Sequence, residues 1–154
     1  MAEAPAPQAP SQSPQPPATV ADIMRPAATT ARQNDHAAAA AYLMKHAGAS
    51  ALLILDAQAD QPIGILTEAD IIRAVADHKD LNDVQIRQLM TTGPAVIGSM
   101  TSIRDAAQTM TSKRFRHLPV MGDAGLVGMI DIIDVCRALL DLGASRPPDA
   151  DTSR

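Results

Sequence analysis

The stretch Gly64-Ile65-Leu66-Thr67-Glu68-Ala69-Asp70-Ile71-Ile72 decides the fold, because a short apolar strand here runs directly into the start of a helix. Thr67 has the position of an N-cap, and Asp70, three residues later, is placed as its capping-box partner. An equivalent stretch returns later as Gly128-Met129-Ile130-Asp131-Ile132-Ile133-Asp134. The sequence therefore predicts two copies of one strand-to-helix unit.

Other segments repeat in the same order. The opening Val20–Met24 corresponds to Ile86–Met90, which indicates a tandem duplication of a unit of about 60 residues. In each unit we expect a short helical turn, an extended segment, a helix, two strands and a second helix. The predicted helices are His36–Ala47 with Asp35 as N-cap, Glu68–His78, a helix capped by Thr101 or Ser102 that runs to Arg114, and Ile132–Leu142; the predicted strands are Ala51–Leu55, Pro62–Leu66, His117–Met121 and Gly125–Ile130.

The two ends of the chain differ in composition from the repeats. Residues 1–18 hold six of the twelve prolines and almost nothing apolar, so they are predicted to form a disordered tail. Residues 143–154 are interpreted in the same way. The remaining chain divides into units at 19–80 and 81–142. Its continuous apolar strands alternate with helices, and this predicts an α+β protein whose sheets are covered on both faces.

Composition excludes several classes of protein. Thirteen Lys and Arg against 17 Asp and Glu give a net charge of −4, so nucleic-acid binding is not expected. The chain has no apolar run of the roughly 20 residues that a membrane helix needs. A single cysteine, Cys136, rules out an internal disulfide, fits a reducing compartment and favours a cytoplasmic location.

No pattern for catalysis is recognisable. The four histidines lack metal-ligand spacing, and no glycine-rich phosphate loop or nucleophile elbow occurs, so we expect neither an enzyme nor a metal site. Cys136, in the middle of a predicted helix, is interpreted as a packing residue. Thr67 and Asp70 allow two interpretations. They cap a helix, or the helix start holds a phosphate while the carboxylate accepts ribose hydroxyl groups.

The recurrence of this pattern carries a family resemblance. Two units that each end in Gly, two apolar residues, Thr or Asp, and then Asp three residues later resemble the cystathionine β-synthase-type (CBS) domain pair, or Bateman module. Thr19–Met24 is similar to that family's opening segment, and Arg116-His117-Leu118-Pro119-Val120 is similar to its second-unit strand. The resemblance covers residues 19–142. It implies two β-α-β-β-α units that pack sheet to sheet with pseudo-twofold symmetry, commonly as homodimers.

The same resemblance implies a ligand and its contacts. Family members bind AMP, ADP, ATP or S-adenosylmethionine in clefts between units, as regulatory ligands and not as required cofactors. By position, Asp70 and Asp134 correspond to residues that bind ribose hydroxyls, and Thr67 to one that meets phosphate or ribose. Arg116 and His117 stand where basic residues meet phosphates, and the adenine is expected near residues 52–54 and 118–120.

The two halves are not equivalent. Asp131 stands where the first unit has Thr67, and a carboxylate there repels a phosphate unless a cation intervenes. Arg116 and His117, with Lys113 and Arg114 beside them, are the candidate cations. In the first unit Ser50 and Ala51 replace that basic pair.

Two functions remain open from the sequence. The first is a stand-alone, non-catalytic regulatory module that binds an adenosine-type ligand, forms a homodimer and acts on an effector protein in trans. The second is a structural dimerisation module whose ligand sites have degenerated.

Overall fold

Two four-stranded sheets and five helices make up residues 17–26, 29–59 and 61–144, the part of the chain that the computed structural model describes. The helices are α1 (Val20–Ile23), α2 (Ala37–Ala47), α3 (Glu68–Ala76), α4 (Ile103–Lys113) and α5 (Ile132–Ala144), with a 3-10 turn at Ile86–Gln88. The strands are β1 (Arg25–Pro26), β2 (Thr30–Arg32), β3 (Ala51–Leu55), β4 (Pro62–Thr67), β5 (Thr91–Thr92), β6 (Ile97–Gly98), β7 (His117–Gly122) and β8 (Gly125–Asp131).

Each repeat forms one β-α-β-β-α unit, which confirms the predicted α+β fold. The first unit is β2-α2-β3-β4-α3 and the second is β6-α4-β7-β8-α5. The first two strands of each unit run parallel and the last two form an antiparallel hairpin. Ala51 pairs with Thr67 in the first hairpin, and His117 pairs with Asp131 in the second. The matching register places the two strand-to-helix junctions at equivalent points of the two sheets.

The opening segment of each repeat completes the sheet of the other repeat. Strand β1 pairs with β8, so the strand order of one sheet is β1-β8-β7-β6. Strand β5 pairs with β4, so the other order is β2-β3-β4-β5. Val20 is fully buried in the core of the second unit, and Ile86 is fully buried in the core of the first. Each repeat therefore buries part of the opening segment of the other repeat in its own core.

The two cores are aliphatic, as the near absence of aromatic residues requires. Residues 51–54 of β3 are all buried, which confirms that this strand is covered on both faces. One core cluster comprises Ala31, Ala40, Met44, Leu52, Ile54, Leu66 and Ile86. The other comprises Val20, Ile97, Ile103, Ala106, Met110, Leu118, Val120, Ile130, Val135 and Ala138. Burial of such side chains contributes about 1.5–3 kcal/mol for each large one.

Two glycines allow the exchanged segments to approach closely. A Cβ on Gly128 would lie 2.6 Å from the carbonyl oxygen of Arg25, and one on Gly64 would lie 2.6 Å from Sδ of Met90. Both distances are shorter than any normal contact of a Cβ atom. The glycine in each strand-to-helix stretch thus has a packing reason, which is contact with the opening segment of the other repeat.

Some predicted helix bounds were wrong. Helix α2 begins after His36, whose extended backbone makes it the N-cap, and not after Asp35. The Asp35 carboxylate instead accepts a hydrogen bond of 2.9 Å from the backbone N–H of Arg32 and closes the preceding turn. Helix α3 ends at Ala76, because His78 adopts a left-handed conformation with φ 57°.

At the ends of the chain, helix α5 continues to Ala144, two residues into the segment predicted as a tail. The predictions for residues 1–16 and 145–154 fall outside the described residues. Cys136 is exposed on α5, so its interpretation as a packing residue was wrong. Across the described ranges, no helix combines the length and apolarity needed to cross a bilayer.

Candidate functional site between the repeats

A cleft of about 230 Å³ opens where the exchanged segment β1 meets the end of helix α2 and the end of strand β8. Both repeats contribute to its walls. The first supplies the small residues that follow α2, and the second supplies the strand-to-helix junction. The lining residues are Arg25, Pro26, Thr29, Ala47, Gly48, Ala49, Ser50, Ala51, His117, Met129, Ile130 and Asp131.

His117 lies at the centre of this arrangement, with only 6% of its side chain exposed. Its Nε2 atom is 2.8 Å from Oγ of Ser50 and 3.0 Å from Oδ2 of Asp131. A carboxylate can only accept, so Nε2 must carry the proton that it donates to Asp131. Burial lowers the pKa of His117, although the Asp131 carboxylate opposes the effect. The imidazole is therefore neutral at neutral pH.

Asp131 directly precedes helix α5, and its carboxylate is surrounded by hydrogen-bond donors. Its carboxylate accepts from the backbone N–H of Ile133 at 2.8 Å, and Oδ2 also lies 3.3 Å from Nε of Arg116. With the His117 contact, three groups stabilise the negative charge. Arg116 is therefore a cation beside this carboxylate, and neutral His117 adds a hydrogen bond; a phosphate-binding role for both stays a prediction.

Asp134 lies one helical turn further along α5 and is the one buried charged residue of the described part of the chain, with 8% exposure. Arg25 binds it through two contacts, Nε to Oδ2 at 3.1 Å and Nη2 to Oδ1 at 3.2 Å. Arg137 adds a longer contact of 3.5 Å to Oδ1. Arg25 also lines the cleft, so this carboxylate is linked to the cleft through a residue that the sequence analysis missed.

Thr67 and Asp70 form the capping box that the sequence predicted. The backbone N–H and the hydroxyl of Thr67 donate to Oδ2 of Asp70 at 2.9 and 2.7 Å. The other oxygen of Asp70 accepts from Nη1 of Arg73 at 3.1 Å. The capping interpretation is confirmed, and a ligand role for these two residues stays a prediction.

The six predicted site residues form two groups. Asp131 and His117 line the cleft, Arg116 contacts Asp131, and Asp134 is reached through Arg25. Thr67 and Asp70 lie at the start of α3. Ser50 connects the groups, because its carbonyl accepts from the N–H of Glu68 at 3.0 Å while its hydroxyl contacts His117.

The adenine position expected near residues 52–54 and 118–120 stays a prediction. Leu52, Leu53, Ile54, Leu118 and Val120 are buried in the sheets and do not line this cleft. The apolar part of the wall is formed instead by the residues that follow α2 and by Met129 and Ile130.

The cluster Ser50–His117–Asp131 cannot operate as a catalytic triad. Such a triad uses one ring nitrogen for the nucleophile and the other for the carboxylate. Here Nε2 makes both contacts. Among the described residues, no group of three or more His, Cys, Asp or Glu could hold a metal ion. The chemistry that the cleft offers is hydrogen bonding and charge recognition.

Comparisons with known proteins agree with this architecture. A family model described as "CBS domain" matches residues 20–77 and 86–141. A structure of a putative signal-transduction protein with CBS domains from Burkholderia ambifaria superposes with a TM-score of 0.72 at 28% identity, over 86% of this chain and 99% of that one. A Pyrobaculum aerophilum CBS domain protein complexed with AMP has a TM-score of 0.73 at 20% identity, over 82% and 99%, and shows the fold alone.

A curated relative, the mitochondrial CBS domain-containing protein CBSX3 of Arabidopsis thaliana, is 35% identical over 80 residues. The match covers 50% of this chain and 39% of the relative, and another curated relative is matched over 52% of its length. The chain thus spans about half or less of the length of these relatives. The family model covers both repeats, and both repeats have the corresponding units. The chain belongs to the CBS-domain family.

Proposed function

We propose that the chain is a non-catalytic regulatory module that binds an adenosine-type ligand in the cleft between its repeats. The observation that carries the proposal is the composition of that cleft. It combines an arginine, a hydroxyl group, a neutral histidine and small residues that leave room for a ligand, and its arginine binds the buried carboxylate of Asp134. Such a set can bind a ribose and an anionic group without reacting with them.

In this proposal the ribose of the ligand binds Asp134. A phosphate group, in ligands that carry one, binds Arg25 and the start of α5. The half of the molecule around Thr67 and Asp70 is the second candidate site. Its carboxylate is held by Thr67 and Arg73, neither of which lines the cleft, whereas Arg25, the partner of Asp134, does line it. We therefore expect the cleft that Arg25 connects to Asp134 to bind a ligand more tightly than the junction at Asp70.

Calorimetric titration with AMP, ADP, ATP and S-adenosylmethionine tests the proposal. The variants Asp134→Asn and Asp70→Asn form a matched pair, because each keeps the shape of the side chain and removes its charge. We expect wild type to bind at least one ligand, Asp134→Asn to lose most of that affinity and Asp70→Asn to retain it. Failure of all four ligands to bind below about 1 mM contradicts the proposal.

The ligand reports through a partner or an assembly in this proposal, since the site performs no reaction. Helices α3 and α5 expose large apolar side chains that a second copy of the chain could cover. Ile72 and Val75 are 67% and 55% exposed, and Ile133 and Leu140 are 50% and 74% exposed. Light scattering coupled to size exclusion is expected to give a homodimer, and Leu140→Glu is expected to weaken it. An effector protein in trans would read the liganded dimer.

A purely structural dimerisation module is the second candidate, and a specific observation favours it. Both carboxylates expected to bind ribose are already engaged within the chain, Asp70 by Thr67 and Arg73, and Asp134 by Arg25 and Arg137. This module would form the same dimer and ignore every nucleotide. The titration separates the candidates, because only the regulatory module changes in stability when a ligand is added.

A further inference from the structure

Arg25 makes the two halves of the molecule unequal. It lies in strand β1 opposite Met129, whereas the equivalent position in β5, opposite Ile65, is Thr91. The carboxylate of Asp134 therefore receives a guanidinium from the exchanged opening segment. The second repeat's opening segment carries only a hydroxyl at that place.

The exposure of the two partners shows which of them can move. The Arg25 side chain is 67% exposed, and that of Asp134 is 10% exposed. A ribose that donates one hydroxyl to each oxygen of Asp134 competes with the two N–H groups of Arg25 for the same oxygens. The guanidinium can leave into solvent or along the cleft, because it is not packed in place. Ion pairs with such an exposed partner contribute little to stability, so displacement of Arg25 costs the fold little free energy.

The displaced guanidinium needs a new partner near the cleft. The other carboxylate there, Asp131, already binds Arg116, His117 and the N–H of Ile133. The ion pair with Asp134 raises the pKa of Arg25, and without that pair the guanidinium remains charged. A phosphate on the ligand supplies two oxygens in the geometry that a guanidinium prefers.

We propose that Arg25 is a specificity-determining residue that exchanges Asp134 for the ligand's phosphate and so selects phosphate-bearing nucleosides over uncharged ones. This inference rests on the proposed function and narrows its ligand class. A neutral nucleoside would break the Arg25–Asp134 contacts and would give the displaced guanidinium no anionic partner. A nucleoside monophosphate replaces both contacts.

Titration of the full chain with AMP and with adenosine tests the inference. In wild type we expect AMP to bind more tightly than adenosine by about tenfold or more, the value of one charge-assisted hydrogen bond. In Arg25→Gln we expect AMP to lose about tenfold and adenosine to keep or gain affinity, so that the preference falls below about threefold. Arg137→Gln is the matched control, because Arg137 binds the same carboxylate at 3.5 Å but does not line the cleft.

The outcomes separate the inference from the proposed function. A preference that disappears in Arg25→Gln and persists in Arg137→Gln supports the inference. If Arg25→Gln changes the affinities for AMP and adenosine equally, or if both variants lose the preference for AMP equally, the inference is overturned and the proposed function is left intact. Binding of neither ligand to wild type or to either variant overturns the inference, whereas the proposed function fails only if ADP, ATP and S-adenosylmethionine do not bind either. Binding of adenosine to Arg25→Gln alone supports the exchange, because it shows that Arg25 blocks Asp134 against an uncharged ligand.

Discussion

Replacing Gly128 by alanine should uncouple the exchanged opening segment from the second sheet. The added methyl group would lie 2.6 Å from the backbone oxygen of Arg25 and 3.2 Å from Sδ of Met24. Because backbone cannot rotate away as a side chain can, strand β1 must shift. Overpacking of this kind costs about 1–3 kcal/mol. With a urea m-value of ~2 kcal/mol/M, the midpoint of unfolding should fall by about 1 M.

Two further glycines are controls for this prediction. Gly64→Ala places its methyl group against Sδ of Met90, the flexible end of a side chain, so the loss should be clearly smaller. Gly98→Ala meets only Oγ1 of Thr101 at 3.5 Å and should leave the midpoint unchanged. Urea unfolding followed by circular dichroism measures all three. The reasoning is refuted if Gly128→Ala unfolds at the same urea concentration as Gly98→Ala, or if Gly64→Ala is the most destabilised.

Two other predictions concern a helix end and a histidine. Arg114 ends helix α4 in the left-handed conformation with φ 56°, and Gly48 ends α2 in the same conformation with φ 60°. Because glycine adopts this conformation without strain, Arg114→Gly should stabilise the fold by about 0.5–1 kcal/mol and Gly48→Ala should destabilise it by a similar amount. Thermal unfolding measures both changes, and a destabilised Arg114→Gly would contradict the argument. His117 has a lowered pKa in the folded chain, so the unfolded chain takes up its proton first and the free energy of unfolding should fall as pH drops below about 6.5. Urea titrations at several pH values should give a smaller fall in His117→Gln, and an unchanged slope would contradict the assignment of a neutral imidazole.

The local pattern predicted most of the fold because each element carried its own signal. Thr67 and Asp70 form their capping box, and Ser102 caps α4 through a hydroxyl that accepts from the N–H of Asp105 at 3.1 Å. The uninterrupted apolar run at 51–54 is buried as expected. The prediction of Asp35 as the N-cap of α2 was wrong because an aspartate side chain that can cap a helix can also close a turn. Its neighbour His36 bridges to Gln85, which fixes its extended backbone and makes it the helix boundary.

The candidate site could be predicted only in part, because it depends on contacts between distant segments. Asp131 and His117 pair within one hairpin, so the motif located both. Arg25 precedes Asp134 by more than a hundred residues, and nothing in its own neighbourhood marks it as a partner. The Arg25–Asp134 pair depends on the position of β1 beside β8 in the folded chain. The cleft could not be predicted for the same reason, because its walls come from four separate stretches of chain.

The burial of Val20 in the core of the second repeat also limits the order in which the chain can acquire its structure. Two members of that core, Val135 and Ala138, lie near the end of the described chain, in the last helix. During synthesis, Val20 leaves the ribosome first and remains without its core until α5 has emerged. Contacts of such long sequence separation slow folding, because a large loop must close before they form. A nascent chain that stops short of α5 would therefore leave Val20 exposed to chaperones and proteases.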